Sequence, residues 1–355
     1  MSAESLSPKL TGDSQRDDLM VQVAKLYFDL EKTQSEISKE TGLTRWQVSR
    51  LLREARDCGV VRIDIVAHSA RVPVLEVALQ RRFGLREALV LDVEDDDALN
   101  VVTQAAARYL CNLQPQPALI GVSWGRTLTK MAQWLVPRWN EGVNVVLLNG
   151  AINTRSSGEP NHNVAERFAQ AARGQATLLP VPAILGHAHT REALEQDPVI
   201  AEVMRLGEQA PVACFSLGEL SDHSVLMESG YIDRPLLAEL ERLGAVGDIM
   251  GRFIGMDGEP VLPELDARTL GLRLSALREK DWSIAVCVGA HKHRIVHACV
   301  KAGYVNVLAT DAATAVTLLD TLEALTEFQR AGKIRYMSMA APSRRWLTWR
   351  LASVT

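Results

Sequence analysis

The chain is 355 residues long, 47% hydrophobic and 23% charged, a balance that predicts two ordinary globular domains at about 100–200 residues each. Its net charge of −4 excludes a molecule that binds polyanions over its whole surface, so any nucleic-acid site must be a local basic patch. The cysteines (Cys58, Cys111, Cys214, Cys287, Cys299) lack CxxC or Cys/His ligand spacing, and no apolar run reaches the ~18 residues of a membrane span, so no metal, cofactor, membrane or export is implied and a cytoplasmic protein with reduced thiols is expected.

Residues 1–18 are polar and read as a disordered tail. From Leu19 to Leu30 the apolar positions Val21, Val23, Ala24, Tyr27, Phe28 and Leu30 suit one helix. Residues 34–41 predict a second, ended by Gly42 as its C-terminal cap. Thr44 reads as the N-cap of a third helix reaching Asp57, and "VVRIDIV" (60–66) alternates as a strand.

The third helix places Val48, Leu51, Leu52 and Ala55 on one face, which is core spacing. Its first turns otherwise carry Thr44, Arg45, Trp46, Gln47, Ser49 and Arg50, with Arg53 and Arg56 beyond. A helix-turn-helix needs that division, because one stripe packs while N-terminal side chains reach base edges in the major groove. Arginine forks onto guanine, and Ser, Thr and Gln hold phosphates. Arg45, Trp46 and Arg50 are therefore expected to carry specificity, and Thr44, Gln47 and Ser49 to hold the DNA backbone. A helical hairpin with solvated charges is the competing explanation.

Residues 67–73 read as a linker, followed by a second domain over 74–330. There "EALVLDV", "ALIGVSWG", "VNVVLLNG", "ATLLPVPA", "PVACFSLG", "WSIAVCVGA" and "VNVLATD" read as buried strands, with helices at 125–136, 162–173 and 312–330. Such alternation predicts an α/β fold with a mostly parallel sheet. Residues 331–355 form a basic C-terminal tail with Lys333, Arg335, Arg344, Arg345, Arg350, two tryptophans and no acid. A frayed terminus is preferred there over a DNA-contacting arm.

"VAKLYF…TQSEISKETGLTRWQVSRLLREARDCGVVRIDI", "LEVALQRRFGL", "IGVSWGRTL", "VVLLNGA", "GAVGDIMGRF" and "AVCVGAHKHRIVHACVKAGYVNVLATDAATAVTLL" occur in one order. Together they resemble the SorC (DeoR-type) family of bacterial sugar-responsive transcription regulators, over roughly residues 19–320. The resemblance implies a winged helix-turn-helix at 19–66 and a sugar-binding effector and oligomerisation domain, related in fold to sugar-phosphate isomerases and deaminases. It also implies double-stranded operator DNA and a small sugar or sugar phosphate as partners, and a homodimer or homotetramer. "ACFSLGEL" departs from the family by carrying Ser216-Leu217-Gly218 in place of a GIG-like turn. A sugar-phosphate isomerase or deaminase with an added DNA-binding module is the alternative function; it would need a positioned acid or base, for which Asp248 and Lys292 are the candidates.

"GVSWGRT" (121–127) follows a strand and precedes a helix, where small residues and free N–H groups favour an anion. Ser123, Arg126 and Thr127, with Trp124 and Gly125 in the same turn, are the expected phosphate cradle; a plain tight turn is the alternative. "GAVGDI" reads as a glycine-rich turn ending in Asp248, either a hydroxyl acceptor or a helix cap. Lys292 in "GAHK" would meet a phosphate or carbonyl oxygen unless it is a surface lysine. Asn149, Gly150, Thr310 and Asp311 stand at strand ends, the usual ligand edge of α/β sheets. His291, His293 and His297 invite a metal, but only the last two share a helix face, so solvated or core histidines are preferred.

Overall fold

The computed structural model describes residues 13–30, 32–58, 60–61, 71–93, 95–151 and 164–319. The chain divides into two compact units between Ser69 and Ala70.

The first unit contains α1 (Asp13–Phe28), α2 (Gln34–Thr41) and α3 (Arg45–Asp57). α1 begins inside the stretch expected as a tail: residues 13–18 are helical, and Arg16 reaches Glu54 of α3 at 2.7 Å. It also stops at Phe28, leaving Leu30 62% exposed rather than in a helical stripe. α2 and α3 each open on a capping box, Thr33 with Glu36 and Thr44 with Gln47, which satisfies N–H groups that a helix start leaves orphaned. Gly42 ends α2 in the left-handed region at φ 71°. Val23, Ile37, Val48 and Ala55 are fully buried at the centre, ringed by Met20, Leu51 and Leu52. The expected strand lies outside the described residues beyond Val61, as do linker residues 67–70.

The second unit is structured from Arg71, a position expected in the linker. Arg71 forms a β-bridge with Leu91 and an ion pair with buried Glu76 at 2.7 Å. Pro73 then opens α4 (Pro73–Phe83), where its missing N–H costs nothing. β1 (Glu87–Leu91), α5 (Asp95–Cys111), β2 (Leu119–Val122), α6 (Arg126–Ala132), β3 (Asn144–Leu147), α7 (Val164–Ala172) and β4 (Gln175–Thr177) follow. Next come α8 (Ala188–Glu195), α9 (Pro198–Gln209), β5 (Val212–Phe215), β6 (Leu217–Gly218), α10 (Val225–Glu228), α11 (Arg234–Arg242), β7 (Gly247–Ile249) and β8 (Arg252–Ile254). The described chain closes with α12 (Pro263–Asp266), α13 (Leu274–Leu277), β9 (Trp282–Val286), α14 (His293–Lys301), β10 (Val307–Asp311) and α15 (Ala312–Leu319).

Seven strands form a parallel sheet in the order β1-β10-β9-β5-β2-β3-β4. Apart from the edge strand β4, which is exposed or half-buried, the strands are buried in both phases because both faces are covered. In β5, Val212 and Cys214 enter one core with Ile284 and Val286, while Ala213 and Phe215 enter the other with Ala285 and Cys287. "ATLLPVPA" contributes only Ala176 and Thr177 to β4 and beyond them an isolated bridge of Pro182 with Ala151, since Pro180 and Pro182 cannot donate to a ladder. "PVACFSLG" divides at Ser216: β5 stays in the large sheet, and β6 joins β7 and β8 in a small antiparallel one. "GAVGDI" is thus not simply a turn but the entry to β7, with Asp248 inside the strand. A satellite core of Leu226, Ile232, Leu237, Leu240, Phe253 and Leu265 lies beside this sheet. The C-terminal helix is described only to Leu319, and the basic tail lies outside the described residues.

Candidate effector cleft and nucleic-acid interface

The order of the large sheet reverses at β2. From β2 the chain runs outward through β3 to β4, then returns to lay β5 on the other flank of β2 and proceeds to β9. In open α/β sheets the strand ends on the two sides of such a reversal part into a crevice. Ser123 donates its N–H to the Cys214 carbonyl at 3.0 Å, holding the two ends in register. A cleft opens here, and every expected effector residue except Gly150 lines it: Ser123, Trp124, Gly125, Arg126, Thr127, Asn149, Asp248 and Lys292.

Gly125 sits at φ 143°, a conformation that other residues rarely adopt, and a Cβ there would press on Ser216 Oγ at 3.2 Å. Ser123 and Thr127 are buried hydroxyls at the cleft floor. Asp248 enters from β7, accepts the Gly251 N–H at 2.9 Å and is 7% exposed. Gly218 makes that possible, since a Cβ on it would lie 1.7 Å from Asp248 Oδ1. Burial pushes the Asp248 carboxyl up to about 6, against the opposing pull of the Gly251 N–H and the Lys292 ammonium. Asn149 is 1% exposed, and neither its Oδ1 nor its Nδ2 has a hydrogen-bond partner. An unmade hydrogen bond on a buried group costs about 1–3 kcal/mol. An occupant with adjacent donor and acceptor groups, as on a polyol, would remove that penalty.

In the first unit, Val48, Leu51, Leu52 and Ala55 of α3 are buried, while Arg45, Trp46, Arg50 and Arg53 are exposed and Ser49 is half-buried. The capping box occupies two of the expected backbone contacts. Thr44 Oγ1 donates to Gln47 Oε1 at 2.9 Å and accepts the Gln47 N–H, leaving the Gln47 amide NH2 as the free donor of the pair. The Arg50 guanidinium lies 5.6 Å from the centre of the Trp46 ring.

Comparison with known proteins matches residues 69–320 to the sugar-binding domain family. The deoxyribonucleoside regulator of Bacillus subtilis (strain 168) is 30% identical over 313 residues, covering 87% of this chain and 100% of that protein. The sorbitol operon regulator of Klebsiella pneumoniae is 26% identical over 306 residues, covering 85% and 97%. Its full-length crystal structure superposes with a TM-score of 0.63 at 26% identity, over 85% of this chain and 99% of that one. A sugar-binding regulator domain from Arthrobacter aurescens TC1 gives 0.61 at 28% identity, over 71% and 99%. The chain belongs to the SorC/DeoR family of sugar-binding transcriptional regulators.

These SorC-family relatives are regulators rather than enzymes, so the isomerase or deaminase alternative is set aside. Among the described residues no helix is long and apolar enough to cross a membrane.

Some expected cleft residues of this SorC-family chain have other duties. Gly150 lies outside the cleft because its backbone is committed: its N–H donates to the Leu270 carbonyl, and its carbonyl accepts the Trp124 indole N–H at 2.6 Å. Trp124 accordingly pins the cleft wall as well as lining it. Arg126 lies at the rim, donating to the His223 carbonyl with Glu228 at 3.7 Å, and its side chain is 60% exposed. α6 is only seven residues long, so its helix dipole is small beside the charges of Arg126 and Lys292. Asp311 caps α15 through Thr314 and holds the Gly289 N–H at 2.9 Å, which shapes the turn carrying Lys292. Thr310 Oγ1 is buried without a partner.

Sequence reasoning missed Ser216, Leu217, Gly218, Glu219, Ser224, Val225, Leu226 and Met250 as lining residues. The one available signal was the Ser216-Leu217-Gly218 departure from the family pattern, which falls on the cleft itself. Glu219 faces His291 at 3.7 Å. His293 Nε2 and His297 Nδ1 are buried without partners, and His297 meets Phe83 edge to face at 5.9 Å. Burial, with Lys301 and Arg82 nearby, holds His297 below the usual imidazole range. Among the described residues no three side chains are grouped to hold a metal ion.

Proposed function

We propose that this SorC-family regulator binds operator DNA through α3, as a homodimer or homotetramer, and that a phosphorylated sugar in the cleft controls the binding. In the cleft, Lys292 and Arg126 attract the phosphate, with the Ser123 and Thr127 hydroxyls and the Gly125 turn around it. Asn149 and Asp248 take the sugar hydroxyls, and Trp124 and Gly150 brace the wall. On α3, Arg45, Trp46 and Arg50 face the bases, while Ser49, the Gln47 amide and the Thr44 turn lie along the backbone. The observation that carries the effector reading is Asn149: a buried amide with donor and acceptor both unmatched belongs to a site awaiting a polar occupant.

Calorimetry with matched phosphorylated and free sugars tests this. Charged hydrogen bonds are roughly twice as strong as neutral ones, so the phosphorylated member of a pair should bind more tightly. Arg126→Ala should narrow that preference, and Asn149→Ala should weaken both members alike. Equal affinity for the two members, with Arg126→Ala indifferent, would leave a neutral-sugar site centred on Asn149 and Asp248.

A further inference from the structure

Among the described residues of the first unit, Trp46 is the most exposed large apolar side chain, at 68%. The packed stripe of α3 is, among the described residues, complete without it. It stands in the first turn, the part of a recognition helix that enters the major groove most directly. Arg50, four residues on, lies against its ring, and Arg45, Arg53 and Arg56 are exposed on the same helix. An apolar plate flanked by cations matches a duplex, whose negative backbone frames a groove containing one apolar group, the thymine methyl.

Resting on the DNA-binding reading above, we propose that Trp46 and Arg50 read a thymine and a guanine as one unit. The indole has a single N–H donor and no acceptor, so it discriminates bases poorly by hydrogen bonding. Its flat face instead buries the thymine C5 methyl. Arg50, steadied by the ring, forks onto guanine O6 and N7. At a rise of 1.5 Å per residue the two positions are about 6 Å apart along the helix, and base pairs are spaced by about 3.4 Å. The thymine and the guanine therefore lie within two base pairs of each other.

The test uses the full chain and a pool of random 24-base-pair duplexes, selected in parallel with wild type, Trp46→Ala and Trp46→Phe. Wild type and Trp46→Phe should enrich a thymine within two base pairs of a guanine; Trp46→Ala should keep the guanine and lose the thymine. Replacing that thymine by deoxyuridine removes only the methyl, and should weaken wild type about 3–5-fold, the worth of one buried methyl, without affecting Trp46→Ala. An unchanged thymine preference in Trp46→Ala, or indifference of wild type to deoxyuridine, overturns the proposal while leaving DNA binding intact. A changed oligomeric state with unchanged base preference would make Trp46 a contact between copies and overturn it equally. No enrichment by wild type would overturn the DNA-binding reading, and this proposal with it.

Discussion

Asp248 shows how one residue ties the cleft to stability. Its carboxyl titrates near 6 in the folded protein, chiefly through burial, against an ordinary value of 3.8. The folded state thus holds the proton more tightly than the unfolded chain. That contribution to stability is complete below about pH 3.8 and is lost as the pH rises through 6. Asp248→Asn removes the titration and keeps an acceptor for the Gly251 N–H. It should melt above wild type at pH 7.5, with the gap closing toward pH 4, in parallel thermal melts across that range. A constant gap would mean that Asp248 titrates as an ordinary surface acid. Effector affinity should fall in the same variant, because a neutral amide is a weaker acceptor for hydroxyls than a carboxylate. Asp248 was legible as a site carboxylate because glycines surround it. Its burial was not, since the space for it comes from Gly218, 30 residues earlier in the chain.

Elements were legible in proportion to their length and their end signals. α2 and α3 start and stop where Thr33, Gly42, Thr44 and Asp57 place them, because capping chemistry is local and needs no tertiary context. β6, β7 and β8 are two or three residues each, too short to display a period, and pairing in three dimensions defines them. The proline-broken end of "ATLLPVPA" and the helical residues 13–18 were misjudged for opposite reasons. The former is apolar but cannot complete a ladder, while the latter are polar but continue a helix tied down by Arg16 and Glu54. The cap on α3 is itself testable. Thr44→Ala leaves the Gln47 N–H without its acceptor and should cost about 1 kcal/mol, with Thr44→Ser restoring most of it. Amide hydrogen exchange across Arg45–Val48 reads this directly, and equal protection in wild type and Thr44→Ala would show that the cap contributes nothing.

At the scale of the molecule, the alternation of strands and helices was enough to place a parallel α/β unit after a helical one in the chain, since each strand carries its own burial signature. The topological reversal at β2 was not legible, because strand order is decided by which neighbours pair rather than by any one strand's residues. That reversal creates the cleft, and α3 belongs to the other unit, so the proposed control of DNA by effector requires a coupling between separate sites. Coupling free energy is reciprocal: if the effector changes the dissociation constant for DNA by some factor, DNA changes that for the effector by the same factor. Titrating the tightest-binding sugar phosphate into the protein, alone and saturated with the duplex enriched from the random pool, should give a ratio of about 5–150, the usual range for such coupling. The reverse experiment, duplex binding with and without saturating sugar phosphate, should return the same ratio. Asn149→Ala should lower effector affinity in both titrations while leaving ligand-free DNA binding unchanged, because its side chain belongs to the cleft and not to α3. A ratio of one in both directions, with both ligands binding, would separate the cleft from regulation altogether. The protein would then bind DNA and sugar independently, and its control would have to come from its abundance rather than from its ligand.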